Sequence, residues 1–439
     1  MNMLYMLVCY FLQHRLKCLV KRFHLALSYF SIIREIPHPY LHPLRMDLGF
    51  KKGIRIMPRS RRNSPETSYR QTHSEMPMSF ENTLRLRNEP DKDLPEAIQR
   101  ELSTPRIYLH GTPHARDVDN YLTSVEEMEA TWSIRLPAGA SIGLAGRTGE
   151  RLDRASVVVA EGTSTAPHRP EWSGISYQPR VAEPFRHRRI ATMKGRTIEA
   201  FYGIYDNPDA RKVYYPQDYP WRCTGRIFTY TSWPTPNWSW SGSGVLIGPR
   251  LVLTAGHVAP WGSGNWAMLF VPAYWDGASV YGAGAGSYVS DYRGWNTGGA
   301  TAYDICLLRL YQPLGNQLGW IGSRTYDGDW EGGNYWVLTG YPAAIAGANR
   351  PAYQSGVPVL DDDEDGDAQQ IEHHGDSSPG ESGGPMFGFW NDGPHAIGTT
   401  SGGETRYGGF LGIGDEDNNI AAGGDAMVDL VKWGLSNWP

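Results

Sequence analysis

Ser382 lies in the stretch GDSSPGESGGP, residues 375–385, where glycine, proline and serine surround Asp376 and Glu381. Two interpretations fit this composition. It is typical of a surface loop, because turns select these residues for their backbone preferences. It is also typical of a nucleophile loop, in which glycines bring the backbone close to a substrate and turn its N–H groups toward a developing oxyanion. The stretch alone leaves both interpretations open.

His257 and Asp304 have the chemistry that a nucleophilic serine needs. His257 follows the apolar run Leu251 to Leu253 at a corner of small residues, and Asp304 directly precedes the apolar run of YDICLLRL. Taken singly, such a histidine is more often structural and such an aspartate is usually a turn residue. Together with a serine they can perform nucleophilic catalysis, because a base must take the hydroxyl proton during attack.

The second half of the chain has the sequence pattern of a β protein. From about residue 198, apolar or alternating runs such as GSGVLIGPRLVLTAGHV and NYWVLTGYP are bounded by Gly, Pro, Asn or Asp. Strands of this length separated by turns predict an all-β sandwich or barrel. The last segment, GGDAMVDLVKWGLSN, has a helical period and predicts a C-terminal helix with one apolar stripe, formed by Met427, Leu430, Val431 and Leu435.

The first half is composed differently. Residues 1–45 contain an apolar run, Met3 to Leu12, that is too short to cross a bilayer and resembles the core of a secretory signal. Residues 46–197 are rich in Arg, Glu, Pro and Ser and predict a poorly structured, partly disordered extension. Its end carries a basic cluster, either a solvated charge run or an exposed linker open to proteolysis, formed by Arg186, Arg188, Arg189, Lys194 and Arg196.

Composition narrows the classes of function. A net charge of −5 lacks the basic footprint of a nucleic-acid-binding protein, and an apolar content of 40% suffices for a packed core. The sequon Asn237-Trp238-Ser239 has meaning only in a secreted chain. We expect a secreted monomer that acts on protein or peptide, without a cofactor or metal, without nucleic acid and without stable membrane association.

Three motifs, in the order His, Asp, Ser, resemble those of the chymotrypsin-like serine peptidases. LTAGH is similar to the family's histidine motif, YDICLLRL to its aspartate strand and GESGGP to its nucleophile loop. Residues 204–228 resemble the opening segment of the glutamyl-endopeptidase-like branch, and Val258 stands where other members have a cysteine. The resemblance implies two six-stranded antiparallel Greek-key barrels with a C-terminal helix over residues 198–439. By analogy, residues 1–45 would be a signal or leader and residues 46–197 a propeptide.

The resemblance also implies the catalytic roles. His257 would take the hydroxyl proton of Ser382, and Asp304 would orient the imidazole and stabilise the imidazolium. The backbone N–H groups of Gly380 and Ser382 would form the oxyanion hole. The implied function is a serine endopeptidase that works through an acyl-enzyme. The alternative is a non-catalytic binding module of the same fold, which would not require all three side chains.

Glu381 departs from the aspartate that is most common in the family, where this carboxylate pairs with a newly freed N-terminal amine. The resemblance therefore implies a zymogen, activated by cleavage near Arg189 to Arg196. The resemblance also implies a specificity pocket formed by Asp376, Ser377 and Thr400, because Asp376 matches the residue that receives Arg or Lys in trypsin-like enzymes.

A preference for acidic residues stays open beside a preference for basic ones. The glutamyl branch is thought to use a histidine on the strand after the serine, where this chain has Thr399 and Thr400. Three histidines are near in sequence, and nothing in the sequence orients them: His373, His374 and His395.

Two smaller features also allow alternatives. Cys223 and Cys306 could form one disulfide or remain buried thiols, while Cys9 and Cys18 lie in the leader. The acidic run Asp361 to Asp367 could bind calcium, although a solvated acidic loop is the commoner case.

Overall fold

The structure is a computed structural model, and it describes residues 75–104, 124–128, 131–135, 146, 148–183, 204–205, 209–233, 237–296, 301–406 and 416–439. The predictions for the apolar leader with Cys9 and Cys18, and for the basic cluster at residues 186–196, lie outside these residues.

The described part of the chain consists mostly of strands, which confirms the predicted all-β class. The helices are α1 (Phe80–Arg85), α2 (Glu96–Ser103), α3 (Leu314–Leu318) and α4 (Asp425–Asn437). The strands are β1 (Ser124–Met128), β2 (Thr131–Arg135), β3 (Thr148–Leu152), β4 (Ser164–Thr165), β5 (Arg180–Glu183), β6 (Lys212–Tyr215), β7 (Thr224–Tyr230), β8 (Trp240–Leu246), β9 (Leu251–Ala255), β10 (Ala267–Pro272), β11 (Tyr274–Trp275), β12 (Ala278–Ser279), β13 (Ser287–Trp295), β14 (Ile305–Leu310), β15 (Gly322–Arg324), β16 (Trp336–Gly340), β17 (Ala352–Val357), β18 (Val359–Asp365), β19 (Ala368–His373), β20 (Pro385–Trp390), β21 (Gly393–Arg406) and β22 (Glu416–Gly423).

Six strands close into a barrel in the order β10, β7, β8, β9, β14 and β13, since β13 pairs back with β10. Every residue of β9 is buried, as its apolar sequence predicts. Strand β9 is antiparallel to β14, with Ala255 opposite Ile305. This register brings His257, two residues after Ala255, to the same end of the barrel as Asp304, which directly precedes Ile305.

The second sheet carries the nucleophile loop. Its strands follow the order β18, β19, β22, β21, β20, β16, β17, β6 and β5, and β15 joins it beside β21. The loop with Ser382 connects β19 to β20. Closure of this sheet into a second Greek-key barrel stays a prediction.

The C-terminal helix is confirmed as α4. Met427, Leu430 and Val431 are fully buried on the predicted stripe, and the helix packs on the barrel strand β14. Both cysteines of the second half are free and buried, and burial raises the pKa of the Cys223 thiol to about 12. Among the described residues, no helix is long and apolar enough to span a bilayer.

Parts of the predicted extension are built into these sheets. Strand β3 runs parallel to β13, β4 pairs with β15, and β5 is antiparallel to β6. The boundary at residue 197 and the propeptide role of the extension stay predictions.

Candidate active site

His257 and Asp304 form a closely bonded pair. The Nδ1 atom of His257 lies 2.6 Å from Oδ2 of Asp304, and the backbone N–H of His257 donates to Oδ1 at 2.8 Å. A Cβ on Gly256 would lie 2.8 Å from Oδ1, so a glycine before the histidine lets the carboxylate approach the backbone. The ring of His257 remains 46% exposed. Its Nε2 atom is thus the ring nitrogen left for a reacting group.

Ser401 completes the support of Asp304. Its hydroxyl donates to Oδ2 of Asp304 at 2.6 Å. Burial opposes ionisation of Asp304, but the hydrogen bonds from His257 and Ser401 outweigh burial and hold its pKa below the usual range. Asp304 is therefore an anion that fixes the imidazole in one orientation and favours a proton on Nδ1.

The loop of Ser382 packs directly against the barrel next to His257. A Cβ on Gly242 would lie 2.8 Å from the side chain of Val258 and 3.0 Å from the carbonyl oxygen of Ser382. Glycine at this position of β8 thus lets the segments of the histidine and the serine meet. Ser243 also donates its backbone N–H to the Ser382 carbonyl at 2.8 Å.

Ser243 holds the loop at a second point. Its hydroxyl donates to the carbonyl of Gly380 at 2.7 Å and accepts the N–H of Tyr341 at 2.8 Å. The backbone of Gly380 adopts a φ of 101°, which favours glycine, and a Cβ there would lie 2.5 Å from the carbonyl oxygen of Tyr341. Within the described residues, no acceptor bonds the backbone N–H groups of Gly380 and Ser382. Both predicted oxyanion donors are therefore available.

Glu381 is buried and paired with a cation from its own chain. Its Oε2 accepts Nη1–H of Arg211 at 2.6 Å and the backbone N–H of Ser378 at 2.8 Å. Arg211 is also bonded through Nη2 to Asp209 at 2.6 Å. Burial raises the pKa of Glu381 to about 7, and the guanidinium and the N–H of Ser378 oppose that rise. Arg211 thus supplies Glu381 with a cation, the role that the family resemblance gives to a newly freed N-terminal amine.

Asp376 is committed to the backbone of the preceding segment. Its Oδ1 accepts the N–H of Tyr205 at 2.8 Å, and its Oδ2 accepts the N–H of Ala210 at 2.7 Å. The side chain is almost completely buried. The carboxylate therefore secures the backbone of Tyr205 and that of Ala210 beside the loop of Ser382.

Of the other two predicted pocket residues, Ser377 lies in that loop and Thr400 lies on β21. The hydroxyl of Ser377 and that of Thr399 are buried without a hydrogen-bond partner among the described residues. Thr400 is bonded through its backbone, because its carbonyl accepts the N–H of Gly383 at 2.7 Å. The same strand continues into Ser401, so it links the nucleophile loop to Asp304.

The three histidines of open role have separate environments. His373 is buried beside the loop, accepts the N–H of Gly375 at 3.1 Å on Nδ1, and has its pKa lowered to about 3 by burial. His374 stacks on Tyr205 with ring centroids 4.2 Å apart. His395 packs edge-on against Trp390 and has its pKa lowered to about 4 by burial. In the described structure, the Nε2 atoms of His373 and His395 are buried without a hydrogen-bond partner.

The acidic run forms a strand. Asp361 to Asp365 belong to β18, which pairs with β19. No set of three or more His, Cys, Asp or Glu in the described part of the chain is arranged to hold a metal ion.

Sequence reasoning missed three supporting residues: Ser401, Ser243 and Arg211. Ser401 lies in TTSGG after the nucleophile strand, and Ser243 lies in the SGSGV run of β8. Small residues in such runs look like ordinary strand residues. Arg211 lies 170 positions from Glu381 along the chain, so no local pattern could pair them.

Residues 214–413 match the family model described as Trypsin. The match confirms the predicted resemblance to the chymotrypsin-like serine peptidases and supports a serine-type endopeptidase, a hydrolase.

Single proteins resemble the chain more distantly. It is 29% identical over 126 residues to the extracellular metalloprotease of Bacillus subtilis (strain 168), an alignment over 28% of this chain and 40% of the length of that relative. The structure is similar to a Glu endopeptidase in complex with MPD, with a TM-score of 0.37, 19% identity and coverage of 50% of this chain and 93% of the other. The protease Anisep from Arthrobacter nicotinovorans gives a TM-score of 0.37, 20% identity and coverage of 51% and 98%.

Proposed function

We propose that the protein is a serine endopeptidase in which Ser382, His257 and Asp304 act as the catalytic triad. The observation that carries the proposal is the chain of hydrogen bonds from Ser401 through Asp304 to His257. It lies beside the glycine-rich loop of Ser382, in which the N–H groups of Gly380 and Ser382 are available. A non-catalytic binding surface has no need of this arrangement.

The chemistry follows from these contacts. Oγ of Ser382 attacks the carbonyl carbon of the scissile bond while Nε2 of His257 takes its proton. Asp304 accepts from Nδ1 and stabilises the imidazolium. The N–H groups of Gly380 and Ser382 bind the oxyanion of the tetrahedral intermediate. His257 then gives the proton to the leaving amine, and a water molecule, activated in the same way, releases the acid and restores Ser382.

Hydrolysis of an internally quenched peptide library by the purified chain tests this proposal. We expect cleavage that is lost in Ser382→Ala and His257→Ala, because each variant removes a group that moves the proton. Cleavage that persists in Ser382→Ala at the wild-type rate would refute the triad. The variants should keep the wild-type circular dichroism, which separates loss of chemistry from loss of fold.

The same site also determines which substrate residue the enzyme prefers before the scissile bond. We propose that Asp376 holds the backbone of Tyr205 and Ala210 and does not receive a basic side chain, since both of its oxygens already accept backbone N–H groups. A peptide panel that varies only this residue, from Glu to Arg, tests the assignment. Rapid cleavage after Arg that disappears in Asp376→Asn would contradict it.

We also propose an extracellular location, which the sequon and the name of the Bacillus relative support. Recovery of the chain from the culture medium of a secreting host tests it.

The zymogen prediction takes a modified form. We propose that cleavage near Arg189 to Arg196 does not work through a new amine on Glu381, because Arg211 is already bound there. A chain with those basic residues changed to Gln should still react with an active-site titrant. Complete dependence of the reaction on cleavage would contradict this form.

A further inference from the structure

Arg222 is a fully buried cation whose partner comes from the predicted extension. It lies in a short turn, Trp221–Cys223, between β6 and β7. Asp91 binds it with both oxygens, at 2.8 Å from Nη1 and 3.1 Å from Nη2. The same carboxylate accepts the N–H of Gly174 at 2.9 Å. Two separate parts of the extension therefore meet at one guanidinium of the peptidase half.

The extension supplies further contacts to Arg222, beside the hydroxyl of Tyr281 in the peptidase half, which accepts from Nη1 at 2.7 Å. The ring of Trp172 lies 4.3 Å from the guanidinium carbon, and the hydroxyl of Ser173 accepts from Nη2. Trp221 donates its indole N–H to the carbonyl of Ser176 at 2.8 Å. A change that removes only the carboxylate of Asp91 would leave Arg222 covered by Trp172 without this counter-charge, a strongly unfavourable state.

Backbone pairing extends the same interface. Strand β5 pairs with β6, and β4 pairs with β15. Leu102 and Ile175 belong to the core cluster that includes Trp221 and the barrel strands. Removal of the extension would expose this apolar surface together with unpaired strand edges, which favour aggregation.

We propose that the described residues of the extension, 75–104 and 148–183, are a permanent partner of the peptidase half, and that they stay bound after the chain is cut between residues 183 and 204. The peptidase half would then function as a complex of two fragments of one chain. The extension completes the core and neutralises Arg222, and it is not a segment to be discarded. This proposal does not depend on the peptidase activity.

A cut in the full chain tests the proposal. A recognition sequence for a site-specific protease is inserted after Lys194, and the cleaved protein is passed over a size-exclusion column in native buffer and in denaturing urea. We expect the fragments to elute together in native buffer and apart in urea. An N-terminal fragment that elutes alone in native buffer, with the other fragment still folded by circular dichroism, would overturn the proposal.

Variants of the ion pair identify the contact that holds the fragments. Asp91→Ala in the cut protein should release the N-terminal fragment at least about a hundredfold faster, because it leaves Arg222 buried and unpaired. Glu89→Ala is the control for loss of a carboxylate, since Glu89 pairs with Arg169 of the same fragment on the exposed surface and its loss should change release little. The double variant Asp91→Leu, Arg222→Met removes both charges and should restore slow release. Equal release rates for Asp91→Ala and Glu89→Ala would contradict the role of the buried pair.

Discussion

Loss of Arg211 should destabilise the protein in a way that depends on pH. Arg211→Met leaves the Glu381 carboxylate buried without its cation. In the wild-type chain, Nη1 of Arg211 lies 2.6 Å from Oε2 of Glu381, and both side chains are nearly inaccessible to solvent. Removing one partner of such a pair costs about 3–5 kcal/mol, whereas an exposed pair is worth about 0–1 kcal/mol.

The pH dependence follows from the carboxylate that remains. The pKa of folded Glu381 is raised to about 7, above its ordinary value of 4.5, so its ionisation already opposes folding as pH rises through that window. Without Arg211 the folded pKa rises further, and the unfolded value does not change. The deficit of Arg211→Met should therefore be smallest below about pH 7 and grow above it by at most about 1.4 kcal/mol per pH unit.

Urea unfolding followed by tryptophan fluorescence, at several pH values, measures this deficit. The exposed pair of Arg350 and Asp276 supplies the control, and Arg350→Met should cost about 1 kcal/mol or less at every pH. The double variant Arg211→Met, Glu381→Gln should lose most of the pH dependence. A deficit for Arg211→Met that stays below about 1 kcal/mol, or that grows as pH falls, would refute the reasoning.

Three further predictions concern the site. Ser401→Ala removes a hydrogen bond that lowers the pKa of Asp304. We therefore expect kcat to fall about tenfold with KM unchanged, and the acid limb of the pH–rate profile to move. An unchanged profile would contradict this role of Ser401. Gly380→Ala places a Cβ against the carbonyl of Tyr341 at a residue whose φ is positive, and it should lower kcat by about 10²–10³-fold. Gly264 has open space around it, so Gly264→Ala should have no effect in the same peptide assay. Asp376→Asn places an amide donor against a backbone N–H and should lower the free energy of unfolding by about 1–3 kcal/mol without reversing the residue preference before the cut bond; a reversed preference would contradict the structural role of Asp376.

Local patterns were sufficient for the elements that hold the pair of His257 and Asp304. The apolar run of β9 and that of β14 each specify a buried strand, and their antiparallel pairing brings the two residues together. The last segment has apolar residues at helical spacing, which places them on one face and predicts α4. In these places the residues near each position are enough to predict the strand or helix that carries it, while the pairing of the two strands is a long-range contact.

Contacts between distant residues were beyond local patterns. Asp91 and Arg222 are 131 positions apart, and nothing near either residue indicates its partner. The extension also reads as polar and partly disordered by composition, yet Leu102 and Trp172 are buried within the described structure. Such residues are ordered because they pack against strands from the rest of the chain. Composition alone does not show these contacts.

Asp376 illustrates a different difficulty. Its position relative to Ser382 suggests a pocket for a basic residue, but position does not reveal what the carboxylate already binds. Its two backbone donors, Tyr205 and Ala210, are far away from it in sequence.

Mass spectrometry of the protein after reaction with a fluorophosphonate most directly tests whether His257 activates Ser382. The reagent forms a bond from phosphorus to the serine oxygen with loss of fluoride, and it requires an activated hydroxyl. We expect one adduct, on the peptide that contains Ser382, and a rate that falls steeply in His257→Ala. Labelling of Ser382 at the same rate in His257→Ala, or no adduct on Ser382 in the folded wild-type chain, would contradict this account.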